Sequence, residues 1–281
     1  MALRKWDKFI MMSNSTKVWI FILTSSVAFL VLGYQFGDRI GLLVGFAAAL
    51  GLNFLVFFYG ESQLLAKLHA KPLKGQDAWG LLQIVESYSE KLDMPAPAVF
   101  ITPHVLASAF CVGHSWKRGS LCFTLGLVQK LTPAELEAVV AHQLCHIRRL
   151  DSFTFGVSST LANSVVGIGQ FLDSFLPSKM RPFFMTLFSP LGWLIIKIVV
   201  GQKSFFENDL MASELVDDRR LLGEVLWRLE GLAQTQPMGV PPCTNHLFIV
   251  NPEGFEQKNL FLKSHPPIRA RLQKLMGYYP I

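Results

Sequence analysis

The sequence predicts an α+β protein: a mostly helical domain with a small sheet, a membrane-spanning helical hairpin at its N-terminus, and two further apolar helices. Three observations predict this. Of the 281 residues, 51% are hydrophobic and only 16% charged, too apolar for an ordinary soluble domain. Two uncharged runs of bilayer-spanning length stand near the N-terminus. From about residue 76 onward, helical periodicity and short β-branched runs replace them. On this reading residues 1–60 form the hairpin. Residues 61–281 form a cytoplasmic domain, interrupted by a membrane-associated segment over residues 152–201.

The first run, VWIFILTSSVAFLVLGY, covers Val18 to Tyr34. No small-residue cleavage site follows it, so it reads as an uncleaved anchor. After the turn QFGDR comes IGLLVGFAAALGLNFLVFFYG, from Ile40 to Gly60. Its Gly45, Ala47, Ala48, Ala49 and Gly51 let two helices pack closely. Arg4, Lys5, Lys8 and Lys17 precede the hairpin, and Lys67, Lys71 and Lys74 follow it, with Arg39 alone in the turn. That asymmetry places both ends, and hence the domain, in the cytoplasm.

Within the domain, DAWGLLQIVESYSEKLDM has a helical period, whereas PAVFITP and SLCFTLG read as strands. LTPAELEAVVAHQLCHIRR is the most strongly specified helix: Thr132 caps it, Pro133 suits its first position and Glu135 completes a capping box. Two apolar runs follow, Ser152 to Leu172 and Phe183 to Gly201. Asn163 and Gln170 interrupt one, Pro190 and Lys197 the other, and Lys179 and Arg181 lie between them. They either span the bilayer or lie as a greasy wall beside the active site. The remainder is mostly helical, with a short FIVN strand and a basic helix, IRARLQKLM.

The net charge of +6 comes without a lysine and arginine stripe interleaved with aromatics, so nucleic acid is not an expected partner. Membrane lipid and a polypeptide are. Cys111, Cys122, Cys145 and Cys243 form no CxxC pair and read as reduced thiols.

The chemistry centres on VVAHQLCHIRRLD. His142 and His146 stand four apart, so both imidazoles leave one helical face, the spacing at which two nitrogens grip one Zn²⁺. A catalytic zinc commonly takes a third protein ligand. SELVDDRRLL supplies Glu214 as a candidate, with Asp218 placed to receive the free N–H of a ligand histidine. The alternative is a solvated acidic face paired with Arg219 and Arg220.

AHQLCHIRRLD, SELVDDRRLL and SHPPIRARLQKL, preceded by SAFCVGH, resemble in order and spacing the HtpX-like membrane zinc metalloproteases. These are gluzincins related to the CAAX prenyl protease. The resemblance covers nearly the whole chain. It implies a zincin-like domain holding one zinc on His142, His146 and Glu214, supported by Asp218. It also implies that His265 helps stabilise the oxyanion, that Arg271 is structural, and that Ser108, Ala109, Phe110 and Cys111 form an edge strand that receives substrate. The implied activity is hydrolysis of misfolded or membrane proteins by zinc-activated water.

Gln143 departs from the family pattern, which has a glutamate there as general base. A glutamine amide hydrogen-bonds water but accepts no proton near neutral pH, and acid–base assistance contributes roughly 10²- to 10⁴-fold. The expected activity is therefore low or nil. Two readings remain open: an impaired endopeptidase, or a pseudoprotease that binds polypeptides or regulates an active protease.

Overall fold

A computed structural model describes residues 3–58, 60–75, 77–241, 243–254 and 265–278. The N-terminal helix α1 (Leu3–Phe58) is broken at Gly37 and Asp38, where the backbone leaves helical geometry. The break falls in the expected QFGDR turn and makes α1 a hairpin. Asn53 Nδ2 donates to Ser26 Oγ across it at 3.3 Å. Small residues are required here: a Cβ on Gly33, Gly41 or Gly45 would collide with backbone of the facing arm.

The domain opens with α2 (Gly60–Lys67), β1 (Lys71–Pro72), α3 (Leu81–Lys91), β2 (Ala98–Thr102), β3 (Ala109–Ser115) and β4 (Arg118–Thr124). The four strands form one mixed sheet in the order β1-β2-β4-β3. β2 runs parallel to β4, and β3 antiparallel to it, with Phe110 opposite Cys122. β3 is thus an edge strand. The short helix α4 (Leu125–Lys130) leads into α5 (Pro133–Arg148). As expected, Thr132 and Glu135 form a capping box on α5, with Thr132 N–H donating to Glu135 Oε2 at 2.7 Å. Leu136 and every residue from Ala138 to Ile147 are buried. A helix buried on every side is a core helix, and this one carries His142, Gln143 and His146 into the core.

Then come α6 (Asp151–Ser174), α7 (Phe183–Val199), α8 (Gln202–Val216), α9 (Arg219–Thr235) and α10 (Ile268–Met276). The first half of α6 is buried: Phe155 joins the main core, and Phe153, Val157 and Leu161 pack on Ile22 of α1. Its second half exposes Ile168, Phe171 and Phe175, and α7 exposes Phe183, Leu187, Leu191, Leu194 and Ile198. By length and composition two stretches among the described residues could cross a membrane, Ile22–Phe54 and Ser178–Val199. Of the expected FIVN strand, Phe248 alone forms a bridge, to Phe110. All four cysteines are free and buried.

The α5 cap also joins the core to α9, because Arg228 Nη1 donates to both oxygens of Glu135, at 2.7 and 2.9 Å. Thr132→Ala is expected to cost about 1 kcal/mol, read as a lowered thermal midpoint in detergent. An unchanged midpoint would show that the cap contributes nothing here.

Candidate functional site

His142 and His146 project from one face of α5, with ring centroids 4.9 Å apart. Each is held by a buried carboxylate. His142 Nε2 lies 3.0 Å from Asp209 Oδ1, and His146 Nδ1 lies 3.1 Å from Asp151 Oδ2. A carboxylate only accepts, so in each pair the imidazole donates its N–H. Behind each carboxylate stands an arginine. Arg271 donates through Nε and Nη2 to both oxygens of Asp209, at 2.9 and 2.7 Å. Arg149 Nε donates to Asp151 Oδ2 at 3.0 Å, and its Nη2 to Glu207 at 2.8 Å. The result is two arginine–aspartate–histidine relays meeting at one helix face.

Electrostatics follow from this geometry. Arg271, at hydrogen-bonding distance, holds the Asp209 carboxyl far below the usual carboxylate range despite its burial. Burial pushes the His142 imidazole down to about 4, against the pull of Asp209. The Asp209–His142 contact is therefore carboxylate to neutral imidazole at physiological pH. Gln143 is buried beside it, with Nε2 3.5 Å from His142 Nδ1 and Oε1 without a hydrogen-bond partner among the described residues.

The remaining expected residues sit elsewhere. The resemblance implied a ligand and a supporting carboxylate one turn apart on a single helix, Glu214 and Asp218. The chain breaks between them: Asp217 takes the left-handed conformation at φ 60°, ending α8, and Asp218 caps α9 by accepting from Leu221 N–H at 2.8 Å. Both side chains are exposed. Glu214 is five residues past Asp209, about 140° around α8 at 3.6 residues per turn, so it faces away from the histidines. The supporting carboxylates are Asp209 and Asp151. His265 Nε2 donates to Phe248 O at 2.8 Å and its ring lies 5.0 Å from that of Phe205, which makes it a clasp for the 248 segment rather than a donor aimed at an oxyanion.

Ser108 lies before β3, its backbone tied to Thr124. Phe110 bridges Phe248, and Ile249 N–H donates to Ala109 O at 2.9 Å. The edge expected at Ser108–Cys111 is thus covered at Ala109 and Phe110 by the chain itself. Arg271 is buried, and its Nη1 also donates to Ile249 O at 2.7 Å.

The family reading calls for zinc, and the donor set can be tested against it. Two imidazoles are present with the carboxylate partners that metal-bound histidines characteristically have. A third donor is missing: among the described residues no group of three or more His, Cys, Asp or Glu side chains could hold a metal. Asp209 and Asp151 are engaged by arginines, and the Arg271 guanidinium lies 3.3 Å from His142 Nε2. This set does not fit a catalytic zinc, whose sites commonly have three protein ligands.

Sequence reading missed Asp209, Asp151, Arg149 and Phe205. Asp209 and Asp151 could have been found as the acids that two buried histidines require, although each closes its contact only in three dimensions.

Removing one member of a buried ion pair leaves the other unpaired, at about 3–5 kcal/mol. Asp209→Asn is therefore expected to lower the thermal midpoint sharply. Glu214→Gln, a surface change, stays within about 0.5 kcal/mol. The reverse order would return Glu214 to the site.

Stability should also depend on pH. Burial holds His246 down to about 4 and His265 down to about 3, from an ordinary 6.5. The unfolded chain takes up these protons below about pH 6.5, while the folded chain resists until about pH 3–4. The stabilisation is complete above about pH 6.5 and is lost as pH falls towards 4. His246→Gln should flatten that part of a midpoint-against-pH curve, and an unaltered slope would contradict the assignment.

Comparison with known proteins shows the family. The model of Peptidase family M48 matches residues 76–278. A protease HtpX homolog of Sulfurovum sp. is 30% identical over 261 residues, 89% of this chain and 94% of that protein. A protease HtpX homolog of Pelotomaculum thermopropionicum is 27% identical, covering 93% of this chain and 98% of that one. The crystal structure of S. mikatae Ste24p aligns at 15% identity with a TM-score of 0.44, over 93% of this chain and 67% of that one. With the His142–His146 helix inside a family match that spans residues 76–278, the chain belongs to Peptidase family M48.

Proposed function

We propose that this chain is a membrane-associated, polypeptide-binding member of family M48 that does not hydrolyse what it holds. The observation that carries the reading is Gln143. It stands next to His142, where the family's general base would stand, fully enclosed and unable to accept a proton.

A place for the polypeptide is suggested by a cavity of about 340 Å³ beside the far half of β3. Val112, Gly113 and His114 border it on one side, and Ser159, Thr160 and Asn163 of α6 on the other. An edge strand flanked by hydroxyls and an amide suits β-augmentation, in which backbone groups give affinity with little demand on sequence. Relative to the expected Ser108–Cys111, the receiving stretch moves towards the end of β3, because Phe248 and Ile249 cover its beginning.

The exposed apolar faces of α7 and of the second half of α6 would lie in lipid beside the α1 hairpin. The chain would then be multi-pass, with both termini and the domain on the cytoplasmic side. Its clients would be unfolded or membrane-derived segments.

The test uses a fluorescent disordered protein and the full chain in detergent, with zinc added. Binding without cleavage is expected from the parent and from Gln143→Glu alike. Cleavage by Gln143→Glu but not by the parent would instead support an impaired endopeptidase with only its base replaced. Absence of binding would reject the polypeptide-holding role. Asn163→Ala, which removes an amide lining the cavity, is expected to weaken binding while leaving the domain folded.

A further inference from the structure

We propose that the His142–His146 pair is a sealed polar core instead of a metal centre, and that Phe205 stands where a third donor from α8 would have to stand. The inference rests on the non-hydrolytic reading above only in using the same site. It concerns what the two histidines do instead.

α8 runs antiparallel to α5 across the site, as the paired contacts show. Asp209 meets His142; one turn back along α8 and one turn on along α5, Phe205 meets His146, with ring centroids 6.3 Å apart. Phe205, Asn208, Asp209 and Ala212 are all buried, the i, i+3, i+4, i+7 face of a helix turned to its neighbour. Asn208 fixes the register by donating from Nδ2 to His142 O at 3.1 Å.

Every carboxylate of α8 is accounted for. Glu207 is bound by Arg149 and Lys203, Asp209 is bound by Arg271, and Glu214 faces solvent. Position 205 is left as the place on this helix from which a side chain meets His146, one turn along α5 from His142, and a phenyl ring fills it. That ring also packs on Phe155 at 5.3 Å and His265 at 5.0 Å, with the Arg271 guanidinium 5.9 Å from its centre.

The histidines are closed from the other sides as well. His142 has Asp209 at one ring nitrogen and the Gln143 amide at the other. His146 has Asp151 at Nδ1, and its ring packs against both Phe155 and Phe205. Two imidazoles thus satisfy two buried carboxylates, while an aromatic wall excludes water from the gap. A dication placed there would meet the Arg271 charge and have two imidazoles at most to hold it. Such a core needs no metal to be stable.

The experiment counts zinc. Full-length protein in detergent is stripped with chelator, dialysed against zinc and then against buffer, and analysed by atomic emission. The variants are Phe205→Glu, Phe205→Leu and Phe205→Glu with Gln143→Glu. The parent and Phe205→Leu are expected to retain far less than one zinc per chain, and both glutamate variants close to one.

A parent that keeps one zinc per chain and loses it on His146→Ala would overturn the proposal, whether or not the protein cleaves anything. A folded Phe205→Glu variant without zinc would also overturn it, by showing that position 205 is not the third-donor position. Should the glutamate variants not fold, the parent decides: a zinc-free parent supports the sealed core, and a zinc-loaded one refutes it. Zinc uptake by the parent without cleavage would leave the non-hydrolytic reading standing while removing this one.

Discussion

One guanidinium fastens most of the domain. Arg271 lies inside the protein at 2% exposure, and a buried cation is tolerable only when fully paired. Its Nε and Nη2 hold both oxygens of Asp209 and its Nη1 holds Ile249 O. Through Asp209 it secures α8 against His142 of α5. Ile249 in turn donates to Ala109 of β3, so the same group links α10, α8, α5 and the sheet edge. The Arg149–Asp151–His146 relay repeats the arrangement one turn along α5 and sets the start of α6.

This constraint explains why the two histidines are held so firmly in a site where, among the described residues, no third donor stands and Gln143 takes the place of a base. Each buried aspartate needs donors, and each histidine supplies one. Replacing either imidazole by an apolar group would leave a carboxylate less completely paired in a medium where unpaired charge is expensive. The parts of a metal centre that support its ligands can therefore outlast the metal chemistry, because they also hold helices together. A polypeptide-binding cavity beside β3 is compatible with such a core, since its lining residues take no part in either relay.

Much of the architecture was legible in the sequence because its signals are local. The break at Gly37 and Asp38, the Thr132–Glu135 capping box, β2, β4 and the basic α10 are set by residues within a turn or two. The site was legible only in part. His142, Gln143 and His146 form one contiguous pattern, but Asp209 and its partner Arg271 are 62 residues apart. The Glu214–Asp218 spacing suggested one helix because its i, i+4 pattern is sound. Asp217 breaks it by adopting a left-handed conformation that Asp tolerates better than most residues. Phe205 gave no chemical signal at all: before the structure it reads as one more core aromatic. An edge strand was expected at Ser108–Cys111 and β3 lies at the sheet edge from Ala109 to Ser115, but which half is covered depends on a segment more than 130 positions later.

On the sealed-core proposal, paired charges and not a metal hold this site together. Thermal unfolding of the parent protein in chelator and in excess zinc tests it most directly. A ligand that binds only the folded state stabilises it by about 2.7 kcal/mol at one hundred times its dissociation constant. The same midpoint is expected in both conditions. A midpoint that rises with zinc, and no longer rises after His146→Ala, would contradict it.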